Sequence, residues 1–252
     1  MQQPYIELCD LRRGYGRREA VQGISLGIER GEVVGILGPN GAGKSTTISM
    51  LAGLLSPSSG DILWEGVSLS TRMREWRRSL GVVLEDLALF EYLGVREHLD
   101  LCARLSGLAA AEADRRVAEL LDFFQLDDSA GTVAAEASQG TRKKLAFALS
   151  LVHAPRVLLL DEALNGIDAV TVHHVKALLR RLAKGGVTVV ISSHVLDSAE
   201  TLIDRCVLID RGVVSMDVPM AEIRASGRSL EQAYADALEG GRRTPPALSW
   251  AG

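Results

Sequence analysis

Apolar and polar residues alternate through residues 4–35, as in Tyr5-Ile6-Glu7-Leu8 and Ile24-Ser25-Leu26-Gly27-Ile28. A period of two predicts antiparallel strands with one buried face. Further on, short, mostly aliphatic runs replace the alternation at 32–37, 157–160 and 187–191. Such runs predict strands buried on both faces, the habit of a parallel sheet. Residues 86–154, between the first two runs, are rich in Ala, Leu, Glu and Arg, which favour helix. Helices are predicted over 95–105, 110–124 and 145–152, and Val117, Leu120, Leu121 and Phe124 recur at the spacing of a packed helix face. Leu230, Tyr234 and Leu238 mark one face of a further helix over 228–239. From Gly240 to Pro246 the composition breaks any helix and predicts a mobile end.

The run at 32–37 leads into Gly38-Pro39-Asn40-Gly41-Ala42-Gly43-Lys44-Ser45-Thr46, then into a helix predicted over 47–53 and closed by Gly53. Strand, glycine loop and helix, with the spacing G-x-x-x-x-G-K-S, form the setting of a phosphate-binding loop. Glycines let the backbone bend around an anion and turn N–H groups toward it, and the helix start adds its positive end. Lys44 reaches β- and γ-phosphates, and the Ser45 hydroxyl ligates Mg²⁺. A loop of this kind needs an acidic partner. Asp161 and Glu162 emerge at the C-terminal end of the second run, the edge where open α/β sheets bind ligands. Asp161 is predicted to hold Mg²⁺ and Glu162 to polarise the attacking water. His194 stands just past the third run and can donate a hydrogen bond to a γ-phosphate oxygen.

Composition narrows the class. The chain has 252 residues, 47 % hydrophobic and 24 % charged, which excludes disorder for its bulk. A net charge of −4 makes it a poor candidate for nucleic-acid binding. No apolar stretch nears the roughly 18 residues of a membrane span, and no secretory signal is expected from the first residues. Cys9, Cys102 and Cys206 lie far apart. They suggest neither a disulfide framework nor a metal site, and a reduced, cytosolic setting is expected. His153, His173 and His174 have no metal spacing either. The basic cluster at 72–78, with Trp76 inside it, reads as a solvated helix face.

Taken in order, the three motifs resemble the ATP-binding cassette family over about residues 5–240. The interval between Lys44 and Asp161 exceeds what a simple mononucleotide fold needs. The family fills it with a helical subdomain and a signature sequence. Ala137-Ser138-Gln139-Gly140-Thr141-Arg142-Lys143-Lys144-Leu145 stands at that position, with Ser138 and Gly140 matching its core. Read alone, Ser138 is a helix N-cap. The resemblance implies that Ser138 and Gly140 cover the ATP held by a second subunit. It also implies that Tyr15 stacks on adenine and that 165–168, ending at Asp168, touches the opposite subunit. Glu85 falls where the family has a glutamine that ligates Mg²⁺ and links nucleotide to the membrane partner.

The implied fold is α/β: a P-loop NTPase core with a parallel sheet, a small N-terminal antiparallel β-subdomain and an inserted helical subdomain. The implied organisation is one ATPase domain over 1–240, with the β-subdomain at 4–35, the nucleotide-binding core at 36–84 and 156–217 and the helical subdomain at 86–154. A C-terminal helix and tail occupy 218–252. The implied function is an ATP-hydrolysing subunit, using ATP and Mg²⁺, that drives a membrane transporter by head-to-tail dimerisation. Its partners are an integral-membrane permease and a second cassette subunit, and its place is the cytoplasmic face of the membrane. The helix at 228–239 resembles that of exporter subunits, and the apolar run at 87–93 suits a groove for a permease helix. The chain departs from the family pattern at Glu85, Gln139, Thr141, Lys143, Ala163 and Leu164. Glu85 favours a second reading, a subunit that binds ATP with little turnover. A soluble cassette ATPase acting on DNA or ribosomes is disfavoured by the single cassette and the lack of a basic tail.

Overall fold

The computed structural model describes residues 3–239. Strands β1 (Ile6–Tyr15) and β2 (Arg18–Ile28) pair antiparallel, as the alternation predicts. Strand β3 (Val33–Leu37) is buried at every residue and leads through the glycine loop into helix α1 (Lys44–Leu51). The helix therefore starts at Lys44 rather than at Thr47, which puts the lysine in the first turn. Strands β4 (Ser59–Trp64) and β5 (Val67–Ser68) then complete an antiparallel sheet in the order β2-β1-β4-β5. The sequence reading left 59–68 in the nucleotide-binding core; their pairing with β1 assigns them to the N-terminal sheet instead. Helix α2 (Leu69–Ser79) carries the basic cluster, and its Trp76 turns inward to donate to the Leu51 carbonyl at 2.7 Å.

Strand β6 (Leu80–Val83) opens the second sheet. Helices α3 (Val95–Leu105), α4 (Ala110–Phe123) and α5 (Gln139–Leu151) follow. Next come β7 (Val157–Asp161), α6 (Ala169–Lys184), β8 (Thr188–Ser193) and α7 (Leu196–Glu200). The chain continues through β9 (Arg205–Asp210), β10 (Val213–Pro219), α8 (Met220–Ala225) and α9 (Leu230–Glu239). The sheet order is β10-β9-β3-β8-β7-β6, parallel except for β10. The helix-breaking run from Gly240 lies outside the described residues. Among the described residues, no helix is long and apolar enough to cross a membrane.

Strand alternation divides the central sheet between two cores. Val33, Leu37, Leu158, Leu160, Val189 and Ile191 face the core shared with α3, α4, α5 and α6. Val34, Ile36, Val157, Leu159 and Val190 face the other core, shared with α1 and the antiparallel sheet. Each such side chain, fully buried, contributes about 1.5–3 kcal/mol. Phe124, Phe147 and Leu121 join the helical layer to the sheet. Helix α5 lies so close on β6 that a side chain at Gly81 would strike the Ser150 carbonyl. Because β3, β6, β7 and β8 run parallel, their C-terminal ends share one edge. Asp161 ends β7, and Gly38, Glu85, Glu162 and His194 follow the strand ends.

Candidate nucleotide site

A cleft of about 490 Å³ opens at that edge. Tyr15, Arg18 and Ala20 line one side, the loop residues Asn40, Gly41, Gly43, Lys44, Ser45 and Thr46 the floor, and Glu85, Glu162 and His194 the other side. Gly38 and Gly43 have φ of 151° and 113°, and a side chain on either would meet a neighbouring carbonyl, of Ile209 and Ala20 respectively. Glycine is thus required at both ends of the turn. Ala42 is buried, and its N–H donates to the Pro39 carbonyl at 3.2 Å, which tightens the loop. Lys44 is 5 % exposed. Its ammonium donates to the carbonyls of Gly38 at 2.8 Å and Pro39 at 3.2 Å and lies 3.7 Å from Glu162 Oε1.

The two acids are held by a serine that sequence reasoning gave no role. Ser192 Oγ donates to Asp161 Oδ1 at 2.5 Å and accepts from the Glu162 N–H at 3.0 Å. The available signal was a hydroxyl that directly follows the aliphatic run Val189-Val190-Ile191 inside a buried strand. Ser45 Oγ donates to the same Asp161 oxygen at 3.1 Å. Ser192 is 1 % exposed, so its loss would strand the Glu162 N–H away from water. Ser192→Ala is expected to lower unfolding free energy by about 1–3 kcal/mol, as measured by urea denaturation.

Glu162 has a φ of 48°, in the left-handed region, where a residue other than glycine is strained by about 1–3 kcal/mol. Its carboxylate is bound on the side away from Lys44: Oε2 accepts from Asn165 Nδ2 at 2.9 Å and from His194 Nδ1 at 2.9 Å. Assigning the Nδ1 proton this way leaves His194 Nε2 free for a ligand. Ser45 Oγ and the Asp161 carboxylate are adjacent hard oxygen donors, a set that fits Mg²⁺. Among the described residues, no group of three His, Cys, Asp or Glu side chains converges on a metal-sized site. Such an ion would take its remaining ligands from phosphate and water, as Mg²⁺ does. Glu85 is exposed on the far side of the cleft.

Ser138 and Gly140 do not line this cleft. Ser138 caps α5, accepting from the Thr141 N–H at 3.1 Å, while Gly140 lies beside the Gly166 carbonyl. Asp168 caps α6 and pairs with Lys144 at 3.2 Å. Its carboxyl is held below the ordinary range, first by the Thr171 backbone N–H, then by the Thr171 hydroxyl and Lys144. Two further residues escaped the sequence reading as site members. Arg18 donates to the Gly41 carbonyl at 3.2 Å at the cleft rim. Lys143, noted only as a departure, is buried with its ammonium 3.2 Å from the Glu162 carbonyl. Its position one turn before buried Phe147 was the signal. A separate apolar groove of about 270 Å³ runs past Leu54, Leu84, Leu87 and Leu89. Phe90 and Tyr92 stand exposed in the segment that follows these leucines.

A family model described as ABC transporter matches residues 21–165. The chain is 35 % identical over 203 residues to the linearmycin resistance ATP-binding protein LnrL of Bacillus subtilis (strain 168), covering 81 % of this chain and 65 % of that protein. It is 34 % identical over 231 residues to the methionine import ATP-binding protein MetN of Brucella abortus (strain 2308), covering 90 % and 63 %. It therefore spans less than two thirds of the length of either relative. A solved structure described as the ATP-binding subunit of an ABC transporter matches with a TM-score of 0.86 at 31 % identity, covering 93 % of this chain and 99 % of that one.

Proposed function

The chain belongs to the ABC transporter family, and from that premise we propose that it hydrolyses ATP in the Lys44 cleft to drive a membrane permease. The carrying observation is the convergence of Lys44, Glu162 and His194 from three separate strand ends on one cleft. Tyr15 stacks on adenine. The backbone of residues 38–46, with Lys44, holds the phosphates. The Glu162 carboxylate takes a proton from the water that attacks the γ-phosphorus, and His194, doubly protonated so that its Nδ1–H stays on Glu162, donates from Nε2 to a γ-phosphate oxygen. Mg²⁺, held by Ser45 and Asp161 with Glu85 nearby, would neutralise charge on the β- and γ-phosphates.

Ser138 and Gly140 stand clear of their own cleft, which supports a role against the ATP of a second, head-to-tail cassette subunit. Asp168 ends the loop that meets that subunit. The groove past Leu54 and Leu87 takes a cytoplasmic helix of the permease, which holds the subunit at the inner face of the membrane. The relatives include both a resistance protein and an importer. Reading the permease as an exporter's rests on helix α9 alone. The test is phosphate release by the purified chain with ATP. Release that requires Mg²⁺ and stops on chelation supports the reading; release indifferent to chelation overturns it.

Glu85 favours the second reading, a subunit of low turnover. Two like charges about 4 Å apart at an effective dielectric near 20 repel by roughly 4 kcal/mol before screening, so a carboxylate beside a triphosphate slows its approach. Glu85→Gln is expected to raise turnover several-fold at limiting Mg²⁺. An unchanged rate there would remove the charge argument.

A further inference from the structure

Lys143 is one of two lysines that bind the start of α5 to the loop after β7. Lys144, 16 % exposed, pairs with the half-exposed Asp168, whereas Lys143 is only 5 % exposed and donates inward to the Glu162 carbonyl at 3.2 Å. An ammonium this deep normally has a carboxylate partner. Here its hydrogen-bond acceptor is the backbone of a residue in strained, left-handed geometry. Burial pushes the Lys143 ammonium toward neutrality, while the charges of Glu85 and Glu162 act against that loss. Glu162 is consequently held at three points: its N–H by Ser192, its side chain by His194 and Asn165, and its carbonyl by Lys143.

The fold does not need Lys143 at this position. The Glu162 carbonyl also accepts from the Asn165 N–H at 3.3 Å, so it keeps a partner if the lysine is lost. An apolar side chain of similar length would avoid the cost of burying an ammonium. A group that costs stability while gripping the strained residue of a reaction site is better explained by function than by folding.

We infer that Lys143 is a positioning residue for Glu162, one that ties the helix bearing Ser138 and Gly140 to the carboxylate that activates water. Movement of α5 as Ser138 meets a second subunit's nucleotide is thereby carried to the Glu162 peptide of the same chain. This rests on the proposed hydrolytic role of Glu162. Lys143 does not line the cleft, so its effect falls on turnover and not on nucleotide affinity.

The test compares phosphate release, ATP affinity and melting temperature for the full chain and for Lys143→Met and Lys143→Arg. Lys143→Met is expected to lower kcat about tenfold or more, with KM for ATP within about twofold and the melting temperature unchanged or raised. Lys143→Arg, which keeps a charged donor, is expected to recover most of kcat. A kcat in Lys143→Met within about twofold of wild type would overturn the inference. So would a joint fall of kcat, affinity and melting temperature in both variants, since the lysine would then serve folding. A wild-type chain that releases no phosphate under Mg²⁺ and ATP would instead overturn the hydrolytic reading, and the inference with it.

Discussion

Glu162→Gln is expected to lower phosphate release by about 10²–10⁴-fold, the range for losing a general base, while leaving ATP bound. The amide keeps the shape and length of the carboxylate. Its oxygen can still accept from Asn165 and His194, both 2.9 Å from Oε2 in the native site. It loses the capacity to take a proton from water and the charge that faces Lys44 at 3.7 Å; with ATP bound the phosphates supply that ammonium's counter-charge, so the damage falls on chemistry and KM moves little. Rapid-quench turnover beside equilibrium ATP binding separates the two effects. Loss of binding together with turnover would mean that Glu162 shapes the cleft rather than acting in it.

Lys44→Ala is expected to reverse that pattern, weakening ATP binding about 100-fold. The ammonium lies within the loop on the Gly38 and Pro39 carbonyls, where a phosphate bound in the loop would draw it off them. Hydrogen bonds to charged groups are worth about 1.5–3 kcal/mol each, and a tenfold change in affinity corresponds to about 1.4 kcal/mol. The fold should tolerate the change, because alanine is favoured inside a helix and Lys44 opens α1. Calorimetric titration with ATP, beside a melting curve, reads both quantities. Native affinity in the variant would exclude Lys44 from phosphate binding.

The site's skeleton was legible because its signals are local. A continuous aliphatic run has one plausible fate in a sheet, and glycines before a lysine and serine constrain a turn whose backbone few residues can adopt. The pair Asp161-Glu162 stood out because charge ends an apolar strand. What stayed hidden depends on partners distant in sequence. Strands β4 and β5 join the N-terminal sheet only because Ile6 finds Trp64 and Leu8 finds Ile62, and a six-residue segment does not disclose its neighbour. Ser192 and Lys143 look like any serine and lysine until β7, β8 and α5 are brought together around Glu162. Asp168 likewise has local partners that its motif does not disclose: it caps α6 and holds Lys144.

The proposed catalytic unit is a pair of chains, in which ATP held at the Lys44 loop of one is covered by Ser138 and Gly140 of the other. The most direct measurement is the light-scattering mass of the Glu162→Gln chain with ATP, with ADP and without nucleotide. The expected mass is that of one chain with ADP or no nucleotide and of two chains with ATP, with the doubling lost when Lys44→Ala is added. A single-chain mass throughout, with ATP demonstrably bound, would contradict the pairing.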